Sequence, residues 1–173
     1  MNKDDLLVNR VSQSALQTIK LEDFYPRHSI CEFDLKDYLF QGLILKELDF
    51  RKALKEFDWT QYVDKYLTVY CSTDAIIPTW AFMLVASYAS GHALDVQFGN
   101  KEEFLRSYFH HKISQLNPED YRDAKLVIKG CSDKPVPASA YLDITHLLKP
   151  FVSSIMFGEP CSTVPVFKRI IKN

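Results

Sequence analysis

The sequence predicts an α/β fold: a single domain with a mostly parallel sheet, helices on both faces, and an N-terminal α/β extension. Three observations carry that expectation. From Tyr66 onward, short apolar runs alternate with segments of helical periodicity, in the order β-α-β-α-β-α-β. The composition is globular, with 47% apolar and 25% charged residues. The chain has 173 residues, enough to bury roughly two-thirds of its unfolded surface without a disulfide or metal staple.

Residues 1–14 read as a polar lead-in, and 15–173 as the domain. "ALQTIKLEDF" reads as a strand, since Ile19 and Leu21 alternate with polar neighbours. "FDLKDYLFQG" opens on Asp34, a good N-cap, and reads as a short helix. "DFRKALKEF" is a firmer helix, because Phe50, Ala53, Leu54 and Phe57 share one face. These first 60 or so residues are expected to pack on the sheet or add an edge strand. "YLTVYC" is a buried strand, and "TWAFMLVASYAS" is a helix entered through Pro78. "ALDVQFG" is the next strand. "NKEEFLRSYFHHKISQL" is a helix that Asn100 can cap, with Glu102 and Glu103 at its positive end. "AKLVIKG" is a strand, "PASAYLDITHLLKP" a helix between Pro137 and Pro150, and "SSIMFG" a fourth strand. No linker, low-complexity tract or domain-sized internal repeat stands out.

Several function classes are disfavoured. The net charge is −1 and the isoelectric point about 6.5, so no basic footprint for nucleic acid is expected. The basic tail "FKRIIKN" reads as solvated. "MNKDDLLVNR" does not have the form of a secretory signal. "AIIPTWAFMLVASYASGHAL" lacks charged residues, but Pro78 at one end and Ser87, Ser90, Gly91 and His92 at the other leave only about a dozen apolar residues. That is a core helix rather than a membrane span. The expectation is a cytoplasmic protein with reduced thiols. There is no G-x-G-x-x-G, Walker loop, H-E-x-x-H or G-x-S-x-G. Trp59 and Trp80 read as core anchors.

Three cysteines share a setting. Cys71 in "VYCSTDAIIP", Cys131 in "VIKGCSDKPVP" and Cys161 in "MFGEPCSTVP" each follow a strand and precede a serine. In one parallel sheet they would gather at the C-terminal edge, where ligands of such folds bind. The first reading is therefore a zinc or iron–sulfur site on Cys71, Cys131 and Cys161. Asp74 or Asp133 would be a fourth ligand, and Ser72, Ser132 and Ser162 would support the thiolates. No C-x-x-C pair is present, so this reading depends wholly on tertiary convergence. The second reading is a thiol enzyme. Cys131 would be the nucleophile beside Gly130, with Asp133 or His146 orienting it or taking its proton; His92 is another base in reach of the same idea. The third is a non-catalytic interaction module or homodimer with inert cysteines, using the 13% aromatic content at an apolar interface. Cysteine is, after all, often just a small buried hydrophobe. Cys31 reads as core, and His110 and His111, being adjacent, point to different sides of their helix.

The stretches "DYLFQGLILKELDFR", "DAIIPTWAFMLVAS", "IKGCSDKPVP" and "GEPCSTVPVFKR" resemble an uncharacterised bacterial family, domain-of-unknown-function family 2480, from about residue 9 onward. The resemblance implies no established activity. It implies an association with iron–sulfur assembly genes, and hence iron–sulfur assembly proteins as partners and sulfur or cluster handling as the role. Cys71, Cys131 and Cys161 fall within its motifs, and Cys31 lies outside them.

Overall fold

A computed structural model of the chain describes residues 16–130, 133–159 and 162–170. Among them run β1 (Leu16–Ile19), β2 (Ile30–Asp34), β3 (Leu39–Phe40), β4 (Ile44–Leu45), α1 (Glu47–Glu56) and β5 (Tyr66–Tyr70). There follow α2 (Thr79–Ala89), β6 (Asp95–Phe98), α3 (Lys101–Ser114), β7 (Lys125–Ile128), α4 (Ala138–Leu148), β8 (Ser154–Glu159) and β9 (Ser162–Lys168). The expected lead-in, residues 1–14, lies outside the described residues.

The fold is α/β with mostly parallel strands, as the alternation predicts. The strands do not share one sheet, however. One sheet has the order β1-β7-β8-β9, another β2-β5-β6, and β3-β4 is a small hairpin. All pairings are parallel except β8–β9 and β3–β4. The residues divide into two units: a continuous one, Pro26–Tyr108, and a split one, Met1–Tyr25 with Phe109–Asn173. The continuous unit is thus an insertion, in sequence, between β1 and the rest of the split unit.

The two units repeat one plan. Helix α2 (Thr79–Ala89) and helix α4 (Ala138–Leu148) stand 59 residues apart at both ends (138 − 79 and 148 − 89). The same offset relates the 3₁₀ turns Trp59–Tyr62 and Pro118–Tyr121, and the starts of β5 and β7 and of β6 and β8. Strand registers agree: Tyr66 pairs with Asp95 as Lys125 pairs with Ser154. The first strand of each unit fits too, since Ile30 pairs with Tyr66 and Leu16 with Lys125. Each is followed by a 3₁₀ turn with a buried leucine, Leu35 or Leu21.

The chemistry behind the repeat is local. Asp58 and Asn117 accept the N–H of Thr60 and of Glu119, capping the two turns. Asp64 and Asp123 both take φ +58, a left-handed conformation that Asp tolerates better than most residues. Pro78 and Pro137 precede the paired helices. Ala81, Val85 and Ala89 bury one face of α2, and Ala140, Ile144 and Leu148 the same face of α4, spaced by four as a helix stripe requires.

The units differ in filling. The continuous unit has an aromatic core: Phe33 stacks on Trp59 and Tyr38, and Trp59 stacks on Tyr88. The Trp59 indole donates to Leu54 O at 2.9 Å, so both tryptophan ends are satisfied. Burial, then Tyr38 and Cys31, push the Tyr62 phenol up to about 12. At the positions equivalent to Phe33, Tyr38, Trp59 and Tyr88 the split unit has Ile19, Phe24, Pro118 and Leu147, so one aromatic of the four is kept. The short helix expected at "FDLKDYLFQG" is a single 3₁₀ turn, Leu35–Tyr38, followed by the β3–β4 hairpin. Gln41 and Gly42, both at positive φ, turn that hairpin.

Candidate functional site

The divided sheets alter the cysteine reading. Cys71 follows β5 of the three-stranded sheet, whereas positions 131 and 161 follow β7 and β8 of the four-stranded one. The expectation that one sheet edge gathers all three is thereby corrected: two sheets have two edges. Cys131, Ser132 and Cys161 lie outside the described residues. The repeat also shows that the Cys-Ser resemblance is out of register. At an offset of 59, Cys71 corresponds to Gly130 and Ser72 to Cys131, while Asp74 does correspond to Asp133.

Each described member of the predicted sites has a definite place. Cys71 is half-buried against the core of the continuous unit, its Sγ 3.3 Å from Thr73 Oγ1. Ser72 donates its backbone N–H to Asp34 Oδ1 at 3.0 Å, and Lys36 does the same at 3.0 Å. Burial pushes the Asp34 carboxyl up, but the hydrogen bonds from Ser72 and Lys36 outweigh it and hold the group below its ordinary value. Asp74 and Asp133 are exposed. Cys31 sits in β2, packed against the same core, and its carbonyl accepts from the buried Thr68 hydroxyl at 3.3 Å. His92 is half-buried after α2. Among the described residues no group of three His, Cys, Asp or Glu side chains is placed to hold a metal ion. Also among them, no helix is long and apolar enough to cross a membrane.

The site that the structure does build lies in the split unit. Helix α4 and strands β7, β8 and β9 frame a groove of about 720 Å³. Its apolar walls are Ile128, Ala138, Tyr141, Leu142, Phe157 and Val166. Leu142 points away from the buried stripe of α4 and is 72% exposed. Phe157 meets the Tyr141 ring edge-on at 5.7 Å. It also covers Gly130, where an added Cβ would lie 2.7 Å from the ring, so any side chain there would have to displace Phe157. Polar groups enter from one side only. Thr145 and His146 lie on the last turns of α4 and Lys149 caps its end, and Lys149 Nζ stands 5.6 Å from the centre of the Phe167 ring.

His146 thus belongs to this groove. It lies eight residues beyond Ala138, about 12 Å along the helix axis, so its place is toward the far end of α4 from Asp133. It also borders a hollow of about 120 Å³ with His110 and Asp143. There His110 Nδ1 and Asp143 Oδ2 are 3.1 Å apart.

The repeat isolates what is special about the groove. Where α4 carries Thr145, His146 and Lys149, α2 carries Ala86, Ser87 and Ser90. Two units with one backbone plan have diverged here toward polar and basic groups. Apart from His146, the groove's residues escape a motif search because they form no catalytic pattern. The signal available in sequence was the off-stripe Leu142; β9 gave none, because Pro165 interrupts it.

No curated protein and no solved structure matches the chain. The family model of proteins of unknown function DUF2480 matches residues 5–169, nearly the whole sequence, and the chain belongs to that family.

Proposed function

We propose that the protein is a non-catalytic binding module whose groove on α4 holds a small amphipathic anion, an apolar body carrying one carboxylate or sulfonate. The groove itself carries this reading. Its volume, about 720 Å³, lies in the range of small-molecule sites, roughly 300–1,000 Å³. Its walls are apolar, so an apolar body gains about 25 cal/mol for each Å² removed from water. Its polar side presents Lys149, whose ammonium attracts an anion, and His146, whose ring can hydrogen-bond the ligand and orient it.

The test uses dodecanoate by titration calorimetry and anilinonaphthalene sulfonate by fluorescence. One saturable site is expected for each, with mutual displacement. Leu142→Glu should abolish binding and Lys149→Glu should weaken it about tenfold, since a charge-assisted contact becomes a repulsion. Both positions are exposed, so circular dichroism should not change. Absence of saturable binding, or binding that both substitutions leave intact, would overturn the reading.

A second reading is thiol chemistry: zinc or iron–sulfur ligation, or nucleophilic attack by Cys131. The adjacency of β7 and β8 favours it. They are parallel neighbours, about 4.8 Å apart, and Cys131 and Cys161 follow their ends in sequence. In this form the reading rests on that pair, with Asp133, rather than on Cys71. A cytoplasmic location and iron–sulfur assembly proteins as partners go with it. Anaerobic zinc, iron and sulfide analysis tests it. Bound metal should persist in Cys71→Ala and vanish in Cys161→Ala; a metal-free parent protein would reject ligation.

A further inference from the structure

The internal repeat leaves one difference of architecture at the sheet edges. In the split unit the third parallel strand, β8, is covered by the antiparallel strand β9. In the continuous unit the equivalent strand, β6, is the last in its sheet. Nothing among the described residues occupies the position beside β6 that β9 occupies beside β8.

The surface around β6 matches that of a strand awaiting a neighbour. Phe98 is 73% exposed, although its counterpart Phe157 is 40% exposed. Met83, the counterpart of Leu142, is 68% exposed. Phe82 meets Phe98 edge-on at 5.2 Å, as Tyr141 meets Phe157. The backbone shows the same incompleteness. The Val96 N–H donates to Asp95 Oδ1 of its own strand at 2.9 Å, and Asp95 Oδ2 takes Gln97 Nε2 at 2.8 Å. A carboxylate here satisfies an edge donor that a neighbouring strand could otherwise take, which is one way an open edge is kept from casual pairing.

We propose that the outer edge of β6 is a docking site for an extended segment of a partner protein, taken antiparallel as β8 takes β9. Charge complementarity selects the segment. In the β8–β9 ladder Lys168 lies opposite Ser154, Phe167 opposite Ile155 and Val164 opposite Phe157. The equivalents on β6 are Asp95, Val96 and Phe98. A β9-like segment therefore sets a base against Asp95 and apolar side chains against Val96 and Phe98. Asp95 then exchanges its bond to Val96 for an ion pair, which frees the Val96 N–H for the incoming strand. This is strand addition with side-chain selection, and it uses none of the residues that line the α4 groove.

The probe is a fluorescein-labelled peptide, Ser-Thr-Val-Pro-Val-Phe-Lys-Arg, which copies residues 162–169, titrated into the full chain by anisotropy. Saturable binding is expected, with a scrambled peptide much weaker. Phe98→Asp should abolish it. Asp95→Lys should weaken it about five- to tenfold, as an exposed attraction turns to repulsion, and a peptide carrying Lys168→Glu should prefer the Asp95→Lys protein. That exchange of preference is something a merely sticky surface would not show. Three outcomes overturn the proposal. One is binding no better than the scrambled peptide's. Another is binding insensitive to Phe98→Asp, which would mean the peptide displaces the chain's own β9. The third is a concentration-dependent dimer, seen by sedimentation, that Phe98→Asp dissolves and that excludes the peptide, since β6 would then serve a second copy.

Discussion

Asp34 shows how one side chain can tie a sheet edge. Its Oδ1 collects the N–H groups of Ser72 and Lys36, and its Oδ2 lies 3.3 Å from Lys36 Nζ. The end of β2 is thereby fastened to the residues after β5. The folded carboxyl is held below its ordinary 3.8, so its contribution is complete at neutral pH. It is lost as pH falls through the folded value. Asp34→Asn keeps an acceptor but no charge, and should cost about 1 kcal/mol at pH 7. The gap between variant and parent, followed by urea unfolding, should narrow below about pH 4; a gap that stays constant with pH would mean the charge is irrelevant. The glycines closing β6 and β8 make a second comparison at this scale. Gly99 and Gly158 stand 59 apart and both have positive φ, +109 and +127. An added Cβ at Gly158 would meet the Ser162 carbonyl oxygen at 2.5 Å, and at Gly99 the flexible Glu103 carboxylate at 2.6 Å. Both alanine variants carry strain of about 1–3 kcal/mol, but at Gly99 rotation of the Glu103 carboxylate removes the shortest contact and leaves Glu103 Cβ at 3.0 Å, whereas at Gly158 the shortest contact is with backbone. Chemical denaturation should show Gly158→Ala to be the weaker protein, and equal losses would refute the backbone-clash argument.

Among the elements, the sequence was legible where one period dominates. The helices at Glu47–Glu56, Thr79–Ala89, Lys101–Ser114 and Ala138–Leu148 each announce themselves by spacing or by a preceding cap or proline. The four strands expected after Tyr66 are β5 to β8. Strand β9 was not legible because Pro165 lies in its middle and proline normally argues against a strand; its place at the edge of the sheet explains the tolerance. The expected helix after Asp34 failed for another reason. Asp34 does cap, accepting the Lys36 N–H, but Gln41 and Gly42 turn the chain before a second helical turn can form. The division into two sheets was hidden because strand partners are chosen by tertiary packing, and alternation alone does not name them. The groove was equally hidden, since it is made by what Leu142 and Val166 leave uncovered. The repeat was masked by side chains: Trp59 and Pro118, or Tyr88 and Leu147, share a position without sharing chemistry. Its one loud signal, the recurring Cys-Ser, pointed to the wrong alignment by a single residue.

At the scale of the molecule, part of the aromatic content that suggested an interface lies in the core of the continuous unit, where Phe33, Tyr38, Trp59 and Tyr88 stack. Exposed apolar side chains lie beside Phe98 and along the α4 groove, and also at Phe40, Leu43, Ile44 and Leu48 around the β3–β4 hairpin and the start of α1. A nested order of chain segments also has a consequence in time. Strand β1 leaves the ribosome early, yet its ladder partner is β7, with Leu16 opposite Lys125. At a synthesis rate of roughly 5–20 residues per second, the 109 intervening steps (125 − 16) take about 5–20 s. Strand β2 waits a third as long, since Ile30 needs only Tyr66. The inserted unit can therefore close its ladder while the other still holds one unpaired strand, so that β1, the first of the described strands to be translated, is among the last of them to find its place.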